Sequence, residues 1–205
     1  MLGLFVVFGI MNPLTAKFTP EIIANLSPSM QITLTTPTAL DSWEQFYSNV
    51  PSLGLSLTII LFSNCLSSEY NKGTLTIMLT KGLSRPAVVL SKFTAATAIM
   101  TASFWLCFGI SYGYTAYFWP GASLPHLFFA AFALWIMAVL YLCILMLGCV
   151  LFRQAFTAIL FLLVVTTTIS LLGLVDQLAA YSPSILTNKN FDLISGEAAV
   201  SDFTI

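Results

Sequence analysis

The chain has 205 residues, of which 58% are hydrophobic and 7% charged, with a formal net charge of −1 and a mean hydropathy of +0.93. Soluble domains carry about 25% charged residues, so a chain this poor in charge must have most of its surface covered by lipid rather than water. The near-neutral balance also excludes a nucleic-acid partner, because no basic stripe exists to neutralise phosphates. The expected class is an all-α, polytopic transmembrane helical bundle of about five spans, forming one transmembrane domain.

Residues 1–16 are apolar but shorter than the ~20 residues a helix needs to cross the hydrocarbon core. They are expected to be the outer part of a first span whose beginning is missing or atypical, kinked near its end by Asn12-Pro13. No basic flank and no small-residue cleavage site accompany them, which argues against a signal peptide. Thr19-Pro20-Glu21 has the order of an N-cap, an N1 proline and a first-turn acid, and predicts a short helix starting there. Residues 17–51 are mixed and proline-rich. Within them Trp43, Phe46 and Tyr47 precede an apolar run and are expected at the headgroup level.

Residues 52–68 form the second predicted span, followed by a polar stretch from Glu69 to Lys92. Ser84-Arg85-Pro86 caps a new helix that runs into a third span at 93–119, closed by Pro120-Gly121. The fourth span covers 126–152, with His126 as an interfacial helix-start residue. Arg153-Gln154 makes a tight connection into a fifth span at 155–175, and a polar tail follows.

Segments 69–92 and 153–154 hold five of the seven Lys and Arg residues. Segments 17–51, 120–125 and 176–205 hold only Lys17 and Lys189. The positive-inside bias then makes the first set cytoplasmic and the second external, with the amino end inside and residue 205 outside. The two halves of the chain show no repeat of the kind found in inverted-repeat carriers.

Cys65, Cys107, Cys143 and Cys149 all fall in apolar runs, so free thiols are expected, and no CxxC or His cluster suggests a metal. Residues 93–119, 126–152 and 154–175 contain no Asp, Glu, Lys or Arg. Ion-coupled carriers usually place such groups in the membrane. The chain has no phosphate-binding loop, so it cannot hold ATP in that way. Gly109-Ile110-Ser111-Tyr112-Gly113 matches the G-x-S-x-G string of hydrolases, but that elbow needs a strand-to-helix turn and this string lies inside an apolar helix. Gly109 and Gly113 are expected instead to form a small-residue packing face. No catalytic constellation is expected.

The segment between the second and third spans is the most informative. Gly73-Thr74 starts a predicted short helix over 74–81, with Thr74 as N-cap and Leu75, Met78 and Leu79 on one face. Gly82 suits the left-handed position that ends it. Glu69 is placed to pair with Lys72 or Arg85. On pattern alone this is either an amphipathic helix resting on lipid, with Lys81, Arg85 and Lys92 attracted to anionic headgroups, or a docking element for a partner.

Glu69-Tyr70-Asn71-Lys72-Gly73-Thr74-Leu75, followed by Leu79-Thr80-Lys81-Gly82-Leu83-Ser84-Arg85, resembles the signature of type-2 ABC permeases, the membrane subunits of bacterial ABC exporters. Gly82 stands where that family usually has proline. Asn12-Pro13-Leu14-Thr15-Ala16-Lys17-Phe18 and Gln45-Phe46 resemble a bacterial branch of the same family. The resemblance implies residence in the bacterial cytoplasmic membrane, a second permease subunit (identical or different), and a separate ATPase subunit that binds ATP and Mg. It makes the segment containing Glu69, Gly73, Thr74, Leu75, Met78, Leu79, Lys81, Ser84 and Arg85 a coupling loop. It also implies a leading interfacial helix and a sixth span, neither visible here, so a truncated product or an incomplete sequence is expected. In the family the second and fifth spans border the cavity, which makes Asn64 and the run Thr166, Thr167, Thr168 and Ser170 candidate pathway linings. The alternative is that these hydroxyls bond back to their own helix. An ATP-independent carrier or channel, and a non-transporting immunity or scaffold protein, are the rival readings.

Overall fold

The computed structural model describes residues 1–26, 37–72, 84–122, 124–152 and 154–172, and among these the side chains of all but 20–26, 65–72, 85 and 172. Among the described residues six α-helices follow one another: α1 (Leu2–Leu26), α2 (Ala39–Asn49), α3 (Leu55–Lys72), α4 (Arg85–Phe118), α5 (Leu127–Phe152) and α6 (Ala155–Leu172). A π-helical turn, Val50–Gly54, joins α2 directly to α3. No strand occurs among the described residues. Four segments are long and apolar enough to cross a bilayer: Leu2–Thr19, Ala39–Asn64, Pro86–Phe118 and Leu127–Phe152. A shorter apolar helix, Ala155–Leu171, completes the bundle. The chain is a multi-pass, all-α membrane protein.

Two expectations about the first sixty residues differ from the structure. Helix α1 runs through Pro13 and Pro20 without interruption, so Thr19-Pro20-Glu21 does not open a new helix. Proline removes the bond to the carbonyl four residues back, which for Pro13 is that of Gly9. That oxygen is taken by the Ser111 hydroxyl of α4 at 3.1 Å, so the helix loses no partner there. The second membrane helix begins at Ala39 rather than near residue 52. Its start is fixed by Asp41, whose Oδ2 accepts the Thr38 backbone N–H at 2.7 Å and the Thr38 hydroxyl at 3.0 Å. Pro51 falls inside the π turn, where the widened ring of hydrogen bonds absorbs its missing donor. Trp43 and Phe46 face the protein rather than the lipid. They are 2% and 0% exposed, in the interior.

Helix α4 starts where the sequence placed it. Ser84 is its N-cap in extended conformation and Pro86 stands in the first turn. With 34 residues it spans about 51 Å at ~1.5 Å per residue, against a hydrocarbon core of ~30 Å. The helix is therefore longer than the apolar slab is thick. At the other end Gly121, with φ of +90°, and His126, with φ of +54°, turn the chain into α5.

Packing divides into two clusters. One gathers Phe5, Trp43, Phe46, Val50, Phe104, Cys107, Phe108, Leu127 and Leu134 at the end where α4 meets α5. The other gathers Leu55, Phe62, Val88, Met100, Leu142, Leu145, Cys149, Ala158 and Leu162 at the end where α5 meets α6. Close approach depends on two glycines. A Cβ on Gly9 would stand 3.0 Å from the Cys107 carbonyl, and one on Gly148 would stand 3.2 Å from the Ala158 backbone. Small residues at such crossings are how membrane helices gain dispersion contacts that lipid cannot match. The outward faces are equally apolar: Phe128, Phe156, Leu90 and Val164 are more than half exposed, as lipid contact requires.

Candidate functional site

The segment singled out as a coupling loop is framed rather than described. Glu69 lies in the last turn of α3, with its side chain outside the described set. Gly73, Thr74, Leu75, Met78, Leu79 and Lys81, and with them the predicted helix 74–81, lie outside the described residues. Ser84 is exposed at the α4 N-cap, and its carbonyl accepts the Val88 N–H at 3.3 Å. Arg85 opens α4. The motif therefore falls between the ends of two long helices.

The candidate pathway residues are separated. Asn64 is exposed on α3, beside Ser63, whose carbonyl accepts the Cys149 thiol at 3.6 Å. Cys149 follows Gly148, which packs on Ala158 at the start of α6. Thr166–Ser170 stand two or three turns farther along α6, ~13 Å away at Thr167. Thr166 donates to the Leu162 and Leu163 carbonyls at 2.9 and 3.1 Å, and Thr168 donates to Val164 at 2.8 Å. These two hydroxyls are thus spent on their own helix. Thr167 and Ser170 are exposed.

The polar groups the fold does bring together lie elsewhere, around α2. Asn49 Nδ2 donates to Asn12 Oδ1 at 2.9 Å and, more weakly, to Gln45 Oε1 at 3.5 Å. Ser42 and Thr115 share a buried hydroxyl pair at 2.9 Å. Tyr47 donates to the Leu127 carbonyl at 3.4 Å, and Trp119 Nε1 to the Pro37 carbonyl at 2.9 Å. Lys17 Nζ sits 4.1 Å from the Phe118 ring centroid, a cation–π contact at the same end. Asn12 is 1% exposed, and its Nδ2 has no hydrogen-bond partner among the described residues.

Over 140 residues the chain is 28% identical to an uncharacterized transmembrane protein of Bacillus subtilis (strain 168), YxlG, in a match covering 65% of this chain and 54% of that protein. The chain thus spans about half the length of the relative it matches. No family profile matches it, and no solved structure does. The similarity supports a polytopic membrane protein and is silent on activity.

Asn12 and Gln45 stood in the sequence only as parts of a resemblance, and the structure joins both to Asn49. Pro13 marks the Gly9 carbonyl as an orphan acceptor, but nothing local to it points to Ser111 as the donor. The face expected at Gly109 and Gly113 is corrected. Nothing lies within 4 Å of a Cβ built on either glycine, and Ser111, 1% exposed, makes the helix contact instead. Its burial in an unbroken helix, hydroxyl donated to a carbonyl, leaves no nucleophile. Cys107, Cys143 and Cys149 form no disulfide, as expected, and the Cys65 side chain lies outside the described set.

Proposed function

We propose that this chain is the membrane subunit of an ABC exporter, pairing with a second permease subunit and with a separate ATPase that binds ATP and Mg. The observation that carries this reading is the string running from Glu69 to Arg85. It falls between the end of α3 at Lys72 and the start of α4 at Arg85, at the face where most of the basic residues gather. A partner at that face could move the bundle only through contacts that differ between two states of the membrane domain. The described parts of α5 and α6 carry no Asp, Glu, Lys or Arg, which fits energy supplied from outside the spans rather than by ion coupling. In this arrangement residues 69–92 and 153–154 face the cytoplasm, and the end holding His126 faces outward.

The test is recovery of a phosphate-loop ATPase with the tagged chain from its native membrane, comparing wild type with Leu79→Asp inserted at equal levels. A charge forced into a desolvated contact costs ~2–4 kcal/mol, so recovery should fall by about thirtyfold or more. Equal recovery from both chains removes the docking claim. Absence of any such ATPase favours an ATP-independent membrane protein.

A further inference from the structure

A cavity of about 270 Å³ opens at the end of the bundle where α2, the last turns of α4 and the first turn of α5 converge. Its walls include Trp43, Tyr112, Thr115, His126, Phe128 and Phe129. The volume lies just below the ~300–1,000 Å³ of pockets that take drug-sized ligands, so it suits a headgroup rather than a whole lipid.

Three of the lining rings, Trp43, Tyr112 and Phe128, are joined to one another directly or through the buried ring of Phe108 behind them. The Tyr112 and Phe128 centroids are 6.2 Å apart at 43°, Phe128 lies 5.4 Å from Phe108, and Phe108 lies 5.3 Å from Trp43. Ring faces carry partial negative charge and attract cations within about 6 Å. The same end of the molecule already does this with Lys17 over Phe118. The polar side chains of the lining are Tyr112, Thr115 and His126, with the Thr115 hydroxyl already paired with Ser42, and no carboxylate is among the lining residues. A quaternary ammonium needs neither an acceptor nor a counter-carboxylate and is held by ring faces alone. Tyr112 is 48% and Phe128 63% exposed on the outer surface of the bundle, so the cavity can be entered from the lipid side.

We infer that this aromatic cavity binds a quaternary ammonium group, carried either by an amphiphile in the adjoining leaflet or by a small soluble cation. The inference stands apart from the exporter reading, because it rests on a different part of the chain and needs no ATPase.

The full chain in an uncharged maltoside detergent is titrated with tetramethylammonium, with dodecyltrimethylammonium, and with the dodecyl compound's uncharged isostere, in which carbon replaces nitrogen. Tryptophan fluorescence is the readout, since Trp43 stands in the wall. Saturable binding of either cation, at least tenfold tighter than of the isostere, is the expected result. Response to the dodecyl compound alone assigns the amphiphile, and response to both admits the soluble cation. Phe128→Leu, at an exposed position, should keep the chain monodisperse and weaken the cation about tenfold, whereas Phe128→Tyr should retain binding. Equal affinity for cation and isostere, or no saturable response, overturns the assignment, as does unchanged binding in Phe128→Leu.

Discussion

The two ends of the bundle are built by different means. Around α2 and the α4–α5 turn the core is aromatic, with Trp43, Phe46, Phe104 and Phe108 packed edge-to-face or tilted within 5.3–6.3 Å of one another. It is crossed by directional bonds between helices: Ser42 with Thr115, Asn49 with Asn12, Ser111 with Gly9, Tyr47 with Leu127. Around the α5–α6 turn the buried core is mostly Leu, Met, Val and Ala, with Phe62 and Cys149 among them. Contacts between helices there include Gly148 on Ala158 and a long thiol bond from Cys149. Directional bonds have one good geometry, whereas aliphatic contacts slide with little loss over short distances. The aromatic end is therefore the fixed end, and the aliphatic end, next to the loops rich in Lys and Arg, is the one able to shear.

The sharpest break of this contrast is Phe46→Ala. Phe46 is fully buried and touches four rings. Its truncation should cost about 3 kcal/mol, the low end of the range for water-soluble cores, because lipid returns part of the transfer term. The unfolding midpoint in mixed micelles reads this, and a loss no larger than that of Leu163→Ala, an exposed position on α6, would contradict the fixed-end assignment.

A smaller and more specific effect is expected at Ser111. Ser111→Ala leaves the Gly9 carbonyl buried without a donor and should cost about 1 kcal/mol. Pro13→Ala restores a backbone N–H in reach of that carbonyl, so the cost of Ser111→Ala should at least halve in the Pro13→Ala background. An unchanged cost in the double variant would mean that Ser111 acts by packing alone. The smallest effect belongs to Thr168→Val, whose hydroxyl serves only its own helix. It should lie within about 0.5 kcal/mol of wild type, and a larger loss would reveal an interhelical role on α6.

Much of this was readable beforehand. Ser84 and Pro86 announced α4, Pro120-Gly121 its end, and the charge-free runs α5 and α6. What was misread turned on prolines. Pro20 reads as a helix start and the second span reads as beginning only after Pro51, because a proline's local effect is visible in sequence and its remedy is not. The remedy for Pro13 comes from Ser111, 102 residues away, and that for Pro51 from a π turn. Yet α2 did leave a signal: Trp43, Phe46, Tyr47 and Val50 recur at helical spacing behind the Thr38–Asp41 cap. Interleaved Asp41, Glu44 and Gln45 masked it, since hydropathy averaged over the segment is low. For the candidate pathway, type and number of hydroxyls were legible, but which carbonyl each would choose was not.

The Gly9 carbonyl also has a history in time. Ribosomes extend a chain from its amino end at about 5–20 residues per second, so α1 exists for about 5–20 s before Ser111, 102 residues later, is made. Throughout that interval the Gly9 carbonyl has no N–H at the usual position four residues on, in a setting where lipid offers no donor. A water molecule, or a polar lining of the insertion machinery, must occupy that acceptor until α4 arrives. The order of synthesis thus keeps α1 from settling as a finished, lipid-surrounded rod, and it remains receptive to the helix that completes it.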